Sequence, residues 1–229
     1  MIRKVKRVYI IGAGIVGCAI AYALSKNRKL QVIVLEKNKT IPGLNQSSRN
    51  AGVVHAGIYY SKDEEPLKAR FCVEGNRLLY DFCRKEGIPH KKVGKLIVAT
   101  NELEKEYLDY FYESAVVNNV PGIRKIYKEE IKKLEPNITA IYALYLPTSG
   151  IVDVDRLILR LKELSEEKGV KFLTNVKVVD IKPNNAGYLI NTIFNRKAQL
   201  YSGDLVINSA GLYSDVIAKM INKNSKFKI

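Results

Sequence analysis

Residues Val8 to Lys37 read VYIIGAGIVGCAIAYALSKNRKLQVIVLEK. The run Val8–Ile11 is short, apolar and β-branched, as a buried strand requires. Gly12, Gly14 and Gly17 follow in the order G-x-G-x-x-G, and the next residues favour a helix to about Lys26. A second apolar run, Val32–Leu35, ends in Glu36, nineteen residues beyond Gly17. The three glycines do different things. Gly12 permits a tight turn, Gly14 lets backbone approach a pyrophosphate, and Gly17 allows close packing of helix on strand. The helix start, with Ile15 and Val16, offers free N–H groups and a positive dipole end to phosphates. Glu36, with Lys37 beside it, is placed to accept hydrogen bonds from ribose hydroxyls. That favours FAD or NAD over NADP, whose 2′-phosphate a carboxylate repels.

Outward from this unit, 229 residues are enough to bury a substantial core. No apolar run approaches the roughly 20 residues that span a bilayer. The N-terminus lacks the pattern of a secretory signal, because the glycine turn interrupts its apolar run. The compartment expected on that basis is cytoplasmic. Cys18, Cys72 and Cys83 form no C-x-x-C pair, and with two histidines a metal site is not expected. There are 38 basic residues against 23 acidic ones, a formal charge of +15. The lysines are scattered and no nucleic-acid motif accompanies them, so nucleic acid is not an expected partner. A solvated lysine-rich surface is the plain reading. Attraction to an anionic substrate, or peripheral contact with an anionic membrane, is the alternative.

After a loop comes SSRNAGVVHAGIYY, Ser47 to Tyr60. Its hydroxyl pair suits a short helix start, and its glycines let backbone approach a flat ligand. Pro66 to about Glu86 reads as a helix with apolar positions at Leu67, Phe71, Leu78, Leu79 and Phe82, closed by Gly87. A strand is expected over Val93–Ala99, a helix over Glu102–Val117, a short helix over Ile131–Leu134 and a strand over Ile141–Leu146. Beyond Gly150 the pattern predicts a helix to about Lys168, a parallel strand at Val170–Leu173 and a three-stranded meander from Val176 to Tyr201. A last strand, Leu205–Asn208, opens through Ala210-Gly211 into a terminal helix.

The glycine loop, the 47–60 block and LKARFCVEGNRLLY (67–80) together resemble the FAD-dependent L-2-hydroxyglutarate dehydrogenase/oxidase family, in the D-amino-acid oxidase-like flavoprotein group. GKLIVA (94–99), GIVD (150–153) and NSAGLYSD (208–215) carry the resemblance over nearly the whole chain. It implies an α/β architecture: a Rossmann-like FAD-binding domain with a parallel sheet and β-meander, residues 1–90 and 150–229. A partial α+β substrate domain, residues 91–149, is inserted in it. It further implies that Ser47, Ser48, Asn50 and Gly52 lie near pyrophosphate and flavin, that Val178 presents backbone to adenine, and that Ala210 and Gly211 pass close to the cofactor.

The implied activity is oxidation of L-2-hydroxyglutarate or a similar 2-hydroxy acid by hydride transfer to FAD, with quinone or oxygen as electron acceptor. Amino-acid oxidase and glycerol-3-phosphate dehydrogenase chemistry of the same group stay open, as does a non-catalytic FAD-binding subunit. His55 is the candidate base, since an imidazole suits proton transfer near neutral pH. Tyr59, Tyr60 and Arg70 are candidates for holding a substrate carboxylate, the plain alternative being packed tyrosines and a surface arginine. His90, after Pro89, is expected in a solvent-exposed loop. Family members continue beyond the NSAGLYSD block, so the expectation is of an N-terminal portion, completed by further sequence or by a second chain.

Overall fold

The computed structural model describes residues 5–228. The chain forms two compact units, one of residues 1–50 with 154–229 and the other of residues 51–153. Segment 51–90, expected with the dinucleotide unit, thus groups with the second.

In the first unit, strand Lys6–Ile11 has parallel partners on both sides, Leu205–Asn208 and Leu30–Leu35, and Lys171–Leu173 pairs parallel with the latter. A central parallel strand is buried on both faces, which is why Val8, Tyr9, Ile10 and Ile11 are all buried instead of alternating. Helix Ile15–Leu24 packs against helix Val154–Glu166. The meander Val176–Asn184, Gly187–Phe194 and Lys197–Gly203 is antiparallel. Val176, Val178, Ile181 and Ile190 of the meander pack with Tyr9, Ile11, Ile33 and Leu35 of the parallel sheet, and Ile217 of the last helix, Ser214–Ile221, joins them.

The second unit holds two small antiparallel sheets. One has the order Val53–Val54, Gly150–Val152, His90–Lys91; the other has Leu96–Ala99, Tyr142–Tyr145, Arg124–Tyr127. Helix Pro66–Glu86 starts on its proline and ends on Gly87, left-handed at φ +67°. Helix Glu102–Val117 starts at Asn101, whose side chain accepts from Glu104 N–H.

Three expectations change. The long helix leaves Leu67, Phe71 and Leu78 exposed and turns Ala69, Asn76, Tyr80 and Cys83 inward. Its inward face must approach backbone closely, because a β-carbon on Gly57 would lie 2.6 Å from Val73 Cγ2. His90 is in a strand, half-buried, with its ring 5.8 Å from that of Tyr80 and Nδ1 2.7 Å from the Ile88 carbonyl. Arg124–Tyr127 forms a strand where none was expected.

Candidate functional site

All carboxyl ends of the parallel sheet open on the same side, the place where α/β sheets bind ligands. Gly12 leaves the first strand at φ +101°; a β-carbon there would stand 2.5 Å from the Ser209 carbonyl oxygen. A β-carbon on Gly17 would collide with the Gly12 carbonyl oxygen and stand 2.9 Å from Ser209 Oγ. Ser209 laces the two strand ends together, its hydroxyl donating to Ile11 O at 2.9 Å and Gly12 O at 3.0 Å. Gly14 differs: a β-carbon there meets only the tip of Ser47, Oγ at 3.0 Å. Gly12 and Gly17 are therefore required by the chain's own packing. Gly14 faces room.

Ile15 N–H donates to Ser47 Oγ at 3.0 Å. Val16 and Gly17, in the first helical turn, have no intrahelical acceptor for their N–H groups. Ser48 belongs to a short 3-10 turn, Gln46–Ser48, capped by Asn45, and its own hydroxyl is buried without a partner. Asn50 Nδ2 donates to the Ser47 carbonyl at 2.6 Å and stiffens that turn.

Glu36 is 5% exposed, and both its oxygens accept backbone N–H bonds at 2.8 Å, Oε2 from Ala13 and Oε1 from Asn38. Its carboxylate thus clamps the glycine turn to the end of the second strand. The amide nitrogen of neighbouring Asn38 is buried without an acceptor. Lys37 lies with its ammonium 3.4 Å from the centre of the Tyr213 ring. Val178 is buried beside a bulge: pairing passes from Val178↔Thr192 to Asp180↔Asn191, so Val179 is an extra residue. Ala210 N–H bonds to Asn208 Oδ1 at 3.2 Å, and Gly211 follows at φ +56°.

In the second unit Gly52, at φ +63°, accepts from Val152 N–H at 2.9 Å. The His55 carbonyl accepts from Asn76 Nδ2 at 2.9 Å, and the same amide group donates to Thr148 O at 2.9 Å. The imidazole remains accessible and meets Tyr59 edge to face, ring centres 6.0 Å apart. Lys95 Nζ donates to Tyr59 Oη at 2.6 Å. Partial burial, and then the Lys95 ammonium, hold the His55 pKa below its usual value. Asn118 Nδ2 holds the carbonyls of Gly57, at 3.0 Å, and Tyr60, at 2.6 Å, fixing the turn that carries Tyr59. Tyr60 has the Lys68 ammonium 5.5 Å from its ring. Arg70 is engaged elsewhere, with Glu74 at 3.8 Å and the Phe71 ring at 4.4 Å, and its side chain is 57% exposed. His55 and Tyr59 are thus brought together, and Arg70 is not with them. Sequence reasoning missed Lys95, Asn76 and Asn118; a single lysine among 38 basic residues carries no signal by itself.

Among the described residues no group of His, Cys, Asp and Glu is placed to hold a metal, and no helix is long and apolar enough to cross a membrane. Burial pushes the Cys18 thiol up to about 12, so it is inert beside the glycine turn.

The model of the family described as DAO, FAD dependent oxidoreductase, matches residues 7–229. The chain belongs to that family. Within this FAD dependent oxidoreductase family it is 39% identical to human L-2-hydroxyglutarate dehydrogenase, mitochondrial, over 93% of this chain and 47% of the relative. It is 34% identical to L-2-hydroxyglutarate dehydrogenase of Indibacter alkaliphilus, over 96% of this chain and 53% of the relative. The chain therefore spans about half the length of these curated relatives. Among solved structures, L-alpha-glycerophosphate oxidase of Mycoplasma pneumoniae with FAD bound superposes with a TM-score of 0.85 at 30% identity, covering 97% of this chain and 58% of that one. The turn observed here suits the family's cofactor: no backbone closes on Gly14, the first-turn N–H groups lack intrahelical acceptors, and the buried Ser48 hydroxyl lacks a partner.

Proposed function

We propose that this chain binds FAD and contributes to oxidation of L-2-hydroxyglutarate or a closely similar 2-hydroxy acid. The observation that carries the reading is the turn at Gly12–Gly17, which is closed by backbone at Gly12 and Gly17 but meets only the Ser47 side chain at Gly14. The names of the relatives support the substrate.

FAD, when bound, supplies the hydride acceptor. The first-turn amides and the Ser47–Ser48 turn hold the diphosphate. Glu36 keeps the turn in shape and has a further lone pair on each oxygen for a ribose hydroxyl. Val178, Ala210 and Gly211 offer backbone to the cofactor. His55 accepts the proton of the substrate hydroxyl; its lowered pKa keeps the imidazole neutral and able to do so. A quinone or oxygen takes the electrons onward.

A second reading, oxidation of a glycerol phosphate, is favoured by the 30% identity to the Mycoplasma oxidase. One experiment separates them. The purified chain is titrated with FAD, and flavin absorbance is followed anaerobically on addition of L-2-hydroxyglutarate or sn-glycerol 3-phosphate. The first reading expects saturable FAD binding and bleaching by the hydroxy acid alone. Material that does not take up FAD would refute both.

A further inference from the structure

Lys95 and Tyr59 are held on rigid backbone from two different elements. Lys95 exchanges two hydrogen bonds with Leu146, N–H to carbonyl at 3.1 Å and carbonyl from N–H at 2.9 Å, extending the sheet that begins at Leu96. Tyr59 lies between Gly57 and Tyr60, whose carbonyls the buried Asn118 amide fixes, and follows Ile58 in the core. The Tyr59 ring also stacks edge-on against Phe111 at 5.8 Å.

Donor counting then gives the pair a purpose. An ammonium has three N–H donors and no acceptor. One reaches Tyr59 Oη, and among the described residues Lys95 has no carboxylate within ion-pair distance. The basic neighbours on that sheet do: Lys125 pairs with Asp109, and Arg124 with Glu130. Tyr59 Oη accepts from Lys95, so its own O–H is left to donate. Two N–H groups and one O–H, beside an accessible imidazole, make a seat for an anion with two acceptor oxygens.

We propose that Lys95 and Tyr59 bind the C1 carboxylate of the 2-hydroxy acid, setting its hydroxyl against His55. The carboxylate and hydroxyl of such an acid sit on adjacent carbons. That spacing matches an anion seat and a base on side chains in ring contact. The assignment rests on the function proposed above, in that it takes the ligand to be a 2-hydroxy acid.

The test is a titration of the FAD-loaded chain with L-2-hydroxyglutarate and, separately, with L-2-hydroxybutyrate, which lacks the distal carboxylate. The ring signals of His55 and His90 are followed by NMR, assigned with a His90→Gln variant. Saturable shifts of His55 alone are expected for both acids. Lys95→Met should weaken both roughly tenfold or more, the factor expected for one charge-assisted hydrogen bond. Lys95→Arg should stay within a few-fold, and Tyr59→Phe should lose a few-fold, with the FAD content of each variant, read before substrate is added, unchanged. An unchanged dissociation constant in Lys95→Met, a loss confined to the dicarboxylate, or no saturable His55 shift in the wild type would each overturn the assignment. Flavin absorbance of the same samples before substrate is added reports independently whether FAD is held, so failure of the cofactor reading is seen separately.

Discussion

Replacing Gly17 with Ala should unmake the turn that joins the first strand to the first helix. The new methyl carbon would stand 2.9 Å from Ser209 Oγ and 3.0 Å from the Gly12 carbonyl carbon, and would meet the Gly12 oxygen head-on. Ordinary contacts between such atoms need about 3.5–4.0 Å, so helix and turn must part by well over an ångström. Overpacking of this kind costs roughly 1–3 kcal/mol. Displacing the Ser209 hydroxyl from Ile11 O and Gly12 O adds about 1 kcal/mol. Greater helix propensity returns at most about 1 kcal/mol. The net expectation is a loss of about 1–4 kcal/mol, read as a urea midpoint lower by roughly 1 M.

Gly75→Ala is the matched control. Gly75 lies inside helix Pro66–Glu86 and a β-carbon there has nothing within 4 Å. The same substitution should raise stability there by up to about 1 kcal/mol. Circular dichroism through a urea series decides it. Midpoints that move in the same direction, or a Gly17→Ala variant as stable as wild type, would refute the assignment of Gly17 to packing.

Gly14→Val should cost only about 1 kcal/mol, by pressing on the Ser47 Oγ that accepts from Ile15 N–H, and should abolish FAD retention; equal retention, read by flavin absorbance, would contradict the placement of a diphosphate at this turn. For His55 the sign follows from a lowered pKa: the neutral form persists to more acidic pH, so flavin reduction at saturating substrate should fall only below about 6.5. Lys95→Met removes a repelling cation and should move that limb upward, yet short of the ordinary value because burial, the larger cause, remains; a stationary limb in a pH series would exclude the coupling. Asn76→Leu strips one donor from the His55 carbonyl, leaving it only the weak Cys72 thiol at 3.9 Å, and one from that of Thr148, and should cost about 2–3 kcal/mol by urea unfolding; an unchanged midpoint would show these carbonyls satisfied otherwise.

The elements with chemical punctuation were legible in the sequence. Pro66 and Gly87 bound one helix, because a proline at a first turn and a left-handed glycine act locally. The parallel strands were legible from unbroken apolar runs. Arg124–Tyr127 was not: only Ile126 of its four residues is buried, and the strand exists because Tyr142–Tyr145 supplies its partner. The inward face of the long helix escaped for a related reason. Asn76 faces in to bond two carbonyls from distant segments, and no periodicity announces that. At the site, the glycine turn reads directly from spacing, whereas the neighbourhood of His55, Tyr59 and Lys95 comes from tertiary placement of residues up to forty positions apart.

The two bonds that Glu36 accepts make the cradle a property of the bare polypeptide. A loop of alternating glycines would otherwise be free to wander, and a guest molecule would have to spend its own affinity in stilling it. Here a side chain from the neighbouring strand performs that freezing during folding. Capture at this turn is then a docking event onto a finished surface, swift and sparing of entropy, and the acidic side chain at position 36 serves as mould as much as ligand.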